Sequence, residues 1–227
     1  MAEILKVDPD SPESEWMARA AFAIRAGNVV AIPTDTVYGL AADPFQANAV
    51  ERMFAAKGRS PDAPVLLLVD SIEMAVSLAK DLPESFHVLA KQFWPGPLTV
   101  VVEASEELPR MVTANTGRVG LRLPAAAIVQ ALLRAVGGPI TGTSANRSGR
   151  PDCRSAAEVE ASLGSVLPLI LDGGPSATTI PSTIISLWKD SWQLIREGPI
   201  PRSELELFFQ EIKVPLMRPE AKNRTSG

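Results

Sequence analysis

Short apolar runs recur along this chain, each closed by glycine, proline or a cluster of hydroxyl side chains, with longer stretches of helix-forming residues between them. Residues Pro12 to Ala26 favour a helix that Gly27 would stop. Asn28 to Pro33 (NVVAIP) reads as a buried strand leading into the turn-rich PTDTVYGL. Asn48 is placed to cap a helix through Lys57, closed by Gly58. Pro64–Val69 reads as a second strand, Ser71–Lys80 and Glu84–Phe93 as helices, and Trp94–Pro97 (WPGP) as a hard stop. Leu98–Glu103 and Val119–Leu123 are strands, Ala125–Val136 an apolar helix, and Pro139–Thr143 leads into the polar loop SANRSGRP. Ser155 with Glu158 matches a capping box, opening a helix that Gly164 can close. Leu167–Leu171 is a strand, Ser182–Leu187 and Trp192–Arg196 a β-pair, and Pro201–Ile212 a last helix.

Strands interspersed with helices predict an α/β domain with a twisted mixed β-sheet flanked by helices. Several strands follow one another too closely for crossover helices, so part of the sheet must be antiparallel. The expected domain covers residues 1–212. Residues 213–227 have little to bury and read as a disordered tail.

Composition narrows the chemistry. The chain has 227 residues, one cysteine (Cys153) and one histidine (His87). An internal disulfide is excluded, and a zinc site of His and Cys nearly so. No apolar run reaches the length of a membrane span, and the N-terminus lacks a signal-peptide pattern, so a cytoplasmic protein without membrane contact is expected. The formal charge of −4 argues against bulk nucleic-acid binding; a local basic cleft is compatible with it.

Four polar stretches lie where open α/β sheets place ligands. PTDTVYGL sets Thr34, Asp35 and Thr36 after a strand, either as site groups or as hydroxyls satisfying local backbone. Lys57–Gly58–Arg59 either complements a helix dipole, which the spacing alone favours, or clamps phosphate. Thr141–Gly149 (TGTSANRSG) can wrap phosphates with backbone N–H groups, but it lacks the Gly-Lys-Ser/Thr ending of a Walker loop. It also lacks the final glycine of a nucleophile elbow. A serine hydrolase would need His87, which sits in a helical run with Phe86, Val88 and Leu89 and reads as structural. The fourth stretch is the pair PST (Pro181–Thr183) and REG (Arg196–Gly198). Arg122, between apolar neighbours in GLRLP, needs either a structural carboxylate or an acidic ligand. Asp172 before Gly173–Gly174 reads as turn chemistry as readily as a site group.

Taken in order, PTDTVYGLAAD, KGR, FWPGPLTVV, GLRLP, TSANRSG, DGG with PST, and REG resemble the YrdC/TsaC family of threonylcarbamoyl-AMP synthases over about residues 4–210. The resemblance implies a deep, positively charged cleft, with ATP, L-threonine and bicarbonate or CO2 as substrates. It implies transfer of the product's threonylcarbamoyl group to the tRNA adenosine next to the anticodon by a partner transferase complex, with at most a weak tRNA contact of its own. It assigns Lys57, Arg59, Ser144 and Asn146 to catalysis and ATP, and Arg196 to ATP. It assigns Thr34, Thr36, Tyr38, Arg122 and Ser182 to threonine. No metal ligand is assigned; Mg2+ would be held by the phosphates. Leu68 stands where some members have a histidine near threonine, and Ser186 where many have an acidic residue. Relatives with an additional C-terminal domain are longer than this chain.

The resemblance implies that the carbamate of threonine attacks the α-phosphate of ATP, helped by positioning and charge rather than a general base. An RNA-binding module is opposed by the acidic pI of about 5.2 and the lack of an aromatic stacking set. A carbamoyl-adenylate transferase of the hydrogenase-maturation type belongs with cysteine-rich zinc motifs, which one cysteine cannot supply.

Overall fold

The computed structural model describes residues 1–60, 64–189 and 191–217. Its strands are β1 (Glu3–Lys6), β2 (Val30–Ile32), β3 (Gly39–Ala41), β4 (Leu66–Leu68), β5 (Leu98–Glu103), β6 (Arg118–Arg122), β7 (Ile140–Thr141), β8 (Thr143–Ser144), β9 (Leu169–Asp172), β10 (Thr183–Leu187) and β11 (Trp192–Arg196). Its helices are α1 (Ser14–Arg25), α2 (Ala47–Lys57), α3 (Ile72–Ser77), α4 (Glu84–Phe93), α5 (Arg110–Thr113), α6 (Ala127–Val136), α7 (Ala156–Leu163) and α8 (Arg202–Glu211).

The mixed α/β fold expected from the sequence is present, divided between two sheets rather than one. The first has the order β1-β9-β2-β3-β8 and the second β11-β10-β5-β6-β4-β7. Both mix parallel pairs, such as β1 with β9 and β10 with β5, with antiparallel ones, such as β2 with β3 and β5 with β6. The chain passes from the second sheet to the first between β7 and β8, at Gly142. A Cβ at Gly142 would lie 2.6 Å from Leu68 Cγ, so only glycine lets the crossing chain lie on the buried Leu68 side chain.

Helix ends follow local chemistry. Ser71 Oγ accepts from Met74 N at 3.2 Å, and Ser155 Oγ from Glu158 N at 3.3 Å, each satisfying a free N–H of the first turn. The expected return bond of the capping box goes one residue earlier: Glu158 Oε2 accepts from Arg154 N at 2.7 Å. Asn48 does not cap α2; the helix starts at Ala47, and Gln46 holds the cap position without a side-chain bond to the helix. Gly58 ends α2 in the left-handed conformation at φ 59°, which places Arg59 just past the helix.

Two apolar clusters hold the fold. In the smaller one, Met17, Ala20, Ala21 and Ile24 form one stripe of α1 facing Ile128, Val129, Leu132 and Leu133 of α6. The two alanines let the helices approach closely. The larger cluster includes Phe86, Leu89, Trp192, Leu205 and Phe209, with Trp192 stacked on Phe209 at 4.4 Å. Each fully buried side chain of this size contributes roughly 1.5–3 kcal/mol. His87 sits on α4 with its ring T-shaped to that of Phe86, and it is not among the residues lining the cavity between the two sheets. No helix among the described residues is long and apolar enough to cross a membrane.

Of the expected tail, residues 213–217 are described. They return to β11, where Trp192 N donates to Pro215 O at 3.1 Å and Met217 N to Trp192 O at 2.7 Å. Residues 218–227 lie outside the described residues.

Candidate active site

A cavity of about 240 Å³ opens between the two sheets. Its lining comes from the β2–β3 turn (Thr34, Thr36, Tyr38), from Arg59 after α2, from Leu68 on β4 and from Arg122 at the end of β6. The β7–β8 crossing adds Gly142 and Ser144, and the β10–β11 pair adds Ser182 and Arg196. Eight of the ten residues singled out in the sequence therefore meet at one cavity, although they come from five separate parts of the chain. Lys57 and Asn146 stand behind the wall.

Lys57 is only 4% exposed. Its Nζ donates to Ser144 O, to Asn146 O at 3.0 Å and to Asn146 Oδ1 at 3.2 Å. An ammonium has three donors, and here all three are used. Asn146 Oδ1 also accepts from Ser144 Oγ at 2.6 Å, and Asn146 Nδ2 donates to Arg150 O at 2.5 Å. Lys57, Ser144 and Asn146 thus form one bonded unit that fixes the β8 turn. Burial first, and then the charge of Arg59, lower the Lys57 pKa from 10.5 to about 8, with Asp152 opposing them. Arg59 itself has no side-chain hydrogen bond or ion pair among the described residues.

At the other end, Arg122 is fixed on two arms. Nε donates to Gly96 O at 3.1 Å and Nη1 to Thr36 Oγ1 at 2.9 Å. Nη2 lies 2.7 Å from Asp35 Oδ1, an ion pair whose side chains are 4% and 17% exposed. No N–H points along that line, so Nη2 and Oδ1 both lack an aligned hydrogen bond. Of the two partners open to Arg122 from the sequence, the structural carboxylate exists, and it is Asp35. Sequence reasoning placed Asp35 in the right octet without assigning it a role.

Thr34 Oγ1 is 3.0 Å from Thr36 Oγ1, accepts from Thr36 N at 3.1 Å and donates to Val37 O at 2.7 Å. The two threonines therefore stiffen the turn as well as line the cavity. Tyr38 borders the cavity, but its hydroxyl donates to Gly174 O at 2.7 Å, and burial pushes its pKa up. Asp172 Oδ1 accepts from Gly174 N at 3.0 Å, so Asp172 makes the turn. Arg196 Nε and Nη2 both donate to Ser182 O, at 3.1 and 2.8 Å, and Ser182 Oγ is 2.8 Å from Thr99 Oγ1. PST and REG are therefore one feature. A Cβ on Gly198 would run into the Pro181–Thr183 backbone. Leu68, in the position noted for a histidine in some relatives, presents only carbon to the cavity. Ser186 lies away from it and accepts from Arg118 Nη2 at 2.8 Å.

The family model Sua5_yciO_yrdC, described as "Telomere recombination", matches residues 22–198. The threonylcarbamoyl-AMP synthase of Pyrococcus abyssi is 42% identical over 88% of this chain, and that of Bacillus subtilis 36% identical over 91%. The chain spans 59% and 60% of the length of these two relatives. The crystal structure of P. abyssi Sua5 complexed with L-threonine superposes with a TM-score of 0.89 at 39% identity, over 95% of this chain and 63% of that one. With the family pattern running through both sheets and every wall of the cavity, this chain belongs to the Sua5/YciO/YrdC family.

Proposed function

We propose that this chain is an L-threonylcarbamoyladenylate synthase, forming threonylcarbamoyl-AMP and pyrophosphate from L-threonine, bicarbonate or CO2, and ATP. The observation that carries the reading is the distribution of cations. Arg59 and Arg196, with no ion-pair partner among the described residues, face the same small cavity as Arg122. Two relatives named threonylcarbamoyl-AMP synthase support the choice of reaction.

Threonine's amine attacks CO2, forming a C–N bond and releasing a proton. A carbamate oxygen then attacks the α-phosphorus of ATP, and the bond to the pyrophosphate leaving group breaks. Negative charge builds on phosphate oxygens, so fixed cations and dipoles are the chemistry needed. Arg59 and Arg196 would meet phosphate and carbamate oxygens. Arg122, Thr34, Thr36 and Ser182 would hold threonine, with Tyr38 bordering it. Ser144 and Asn146 would hold the nucleotide, and Lys57 would keep their loop in place while contributing positive charge.

Among the described residues no group of three or more His, Cys, Asp or Glu side chains is placed to hold a metal. Magnesium arriving with ATP would therefore be held mainly by the phosphates. The product would serve a cytoplasmic transferase complex acting on the tRNA adenosine next to the anticodon, with tRNA touching this chain weakly.

The test is pyrophosphate release from MgATP and bicarbonate with L-threonine present, omitted or replaced by serine. Release that depends on threonine is expected. Release indifferent to the amino acid, or none, would reject the reading.

A further inference from the structure

The cations of the site are not equivalent. Among the described residues, Arg122 is the one paired with a carboxylate, while Lys57, Arg59 and Arg196 have none in hydrogen-bond or ion-pair range. The cavity thus has an ion-paired end at Arg122–Asp35 and an end at Arg59 and Arg196 without an ion pair among the described residues, where the charge of Asp152 acts only from beyond ion-pair range. Asp35 is not itself part of the lining, and the bonded turn of Thr34 and Thr36 on either side of it fixes its backbone.

We propose that Asp35 sets the ligand specificity of the Arg122 end, by making it accept α-amino acids and reject simple carboxylic acids. The inference rests on the reading that this end takes threonine. Nη2 of Arg122 is buried beside Asp35, while the Arg122 side chain borders the cavity. A ligand carboxylate that meets Arg122 arrives within a few ångströms of the Asp35 carboxylate, in a nearly buried setting where like charges repel strongly. A ligand carrying its own cation beside the carboxylate cancels that repulsion, and an α-amino acid is such a ligand. A bare carboxylate cannot. Asp35 acts through Arg122 and its field, without touching the ligand. It also keeps Arg122 from becoming a third free cation, so that phosphates are drawn to Arg59 and Arg196 and the two substrates sort to opposite ends.

The test is calorimetric titration of the whole chain, at fixed ionic strength, with L-threonine and with 3-hydroxybutyrate, which is threonine without its amine. The wild type should prefer L-threonine at least tenfold. Asp35→Asn should compress that ratio at least tenfold, chiefly by binding 3-hydroxybutyrate more tightly, and Asp35→Glu should restore it. Equal weakening of both ligands in Asp35→Asn would show that Asp35 merely props Arg122, and would overturn the proposal. A wild type that binds both ligands equally would overturn it without any variant, which covers the case of a variant that does not fold. A wild type that does not bind L-threonine at all would remove the amino-acid reading itself, and the proposal with it.

Discussion

Replacing Lys57 by methionine tests whether this lysine is a buried, charged loop anchor. Burial and the neighbouring Arg59 lower its pKa from 10.5 to about 8, a difference of about 2.5 units, or roughly 3 kcal/mol at 1.36 kcal/mol per unit. The sign follows from proton binding. Between pH 8 and 10.5 the unfolded chain holds a proton on Lys57 that the folded chain has lost, so stability rises with pH across that window. The three acceptors around Nζ favour the ammonium and reduce the effect, leaving a rise of about 1–3 kcal/mol. Urea denaturation from pH 7 to 10.5 should show this rise in the wild type relative to Lys57→Met, which has no proton to lose. Activity should move the other way, falling above pH 8 as Nζ gives up a donor to the Ser144–Asn146 loop. Parallel stability curves for the two proteins would refute the buried-charge assignment.

Arg59→Ala should lower turnover by about 100-fold or more, the scale expected for a lost electrostatic donor, with an unchanged melting temperature, since Arg59 has no side-chain partner among the described residues; a stopped assay beside thermal melts decides it. Gly142→Ala should destabilise by about 1–3 kcal/mol through overpacking against Leu68, and Leu68→Ala in the same chain should recover part of that in denaturant titrations. Tyr38→Phe removes a buried bond to Gly174 and should cost about 1 kcal/mol of stability with turnover within a few-fold of wild type, because the hydroxyl serves the loop.

The parts of the fold legible in the sequence are those fixed by local rules. The β10–β11 hairpin, the extent of α4 and the left-handed stop at Gly58 follow from periodicity, proline and glycine within a few residues. β1, β3 and α5 went unseen because each is three or four residues long and owes its place to neighbours far along the chain. The division into two sheets is likewise non-local. It depends on a two-residue strand on either side of Gly142, and the reason for glycine there is a leucine 74 positions earlier. At the site, residue types and order indicated which side chains gather, but not what each one does. Lys57 and Arg59, two positions apart, separate into a loop anchor and an open cation because the helix ends between them. The Arg122–Asp35 pair joins residues 87 positions apart, a partnership that no spacing rule within the octet predicts.

The most direct test of the central claim is mass spectrometry of the adenylate formed from MgATP, L-threonine and 13C-labelled bicarbonate. The account predicts an adenylate that appears only with threonine and is one mass unit heavier with labelled than with ordinary bicarbonate. An unlabelled threonyl adenylate, or no adenylate from folded protein, would contradict it.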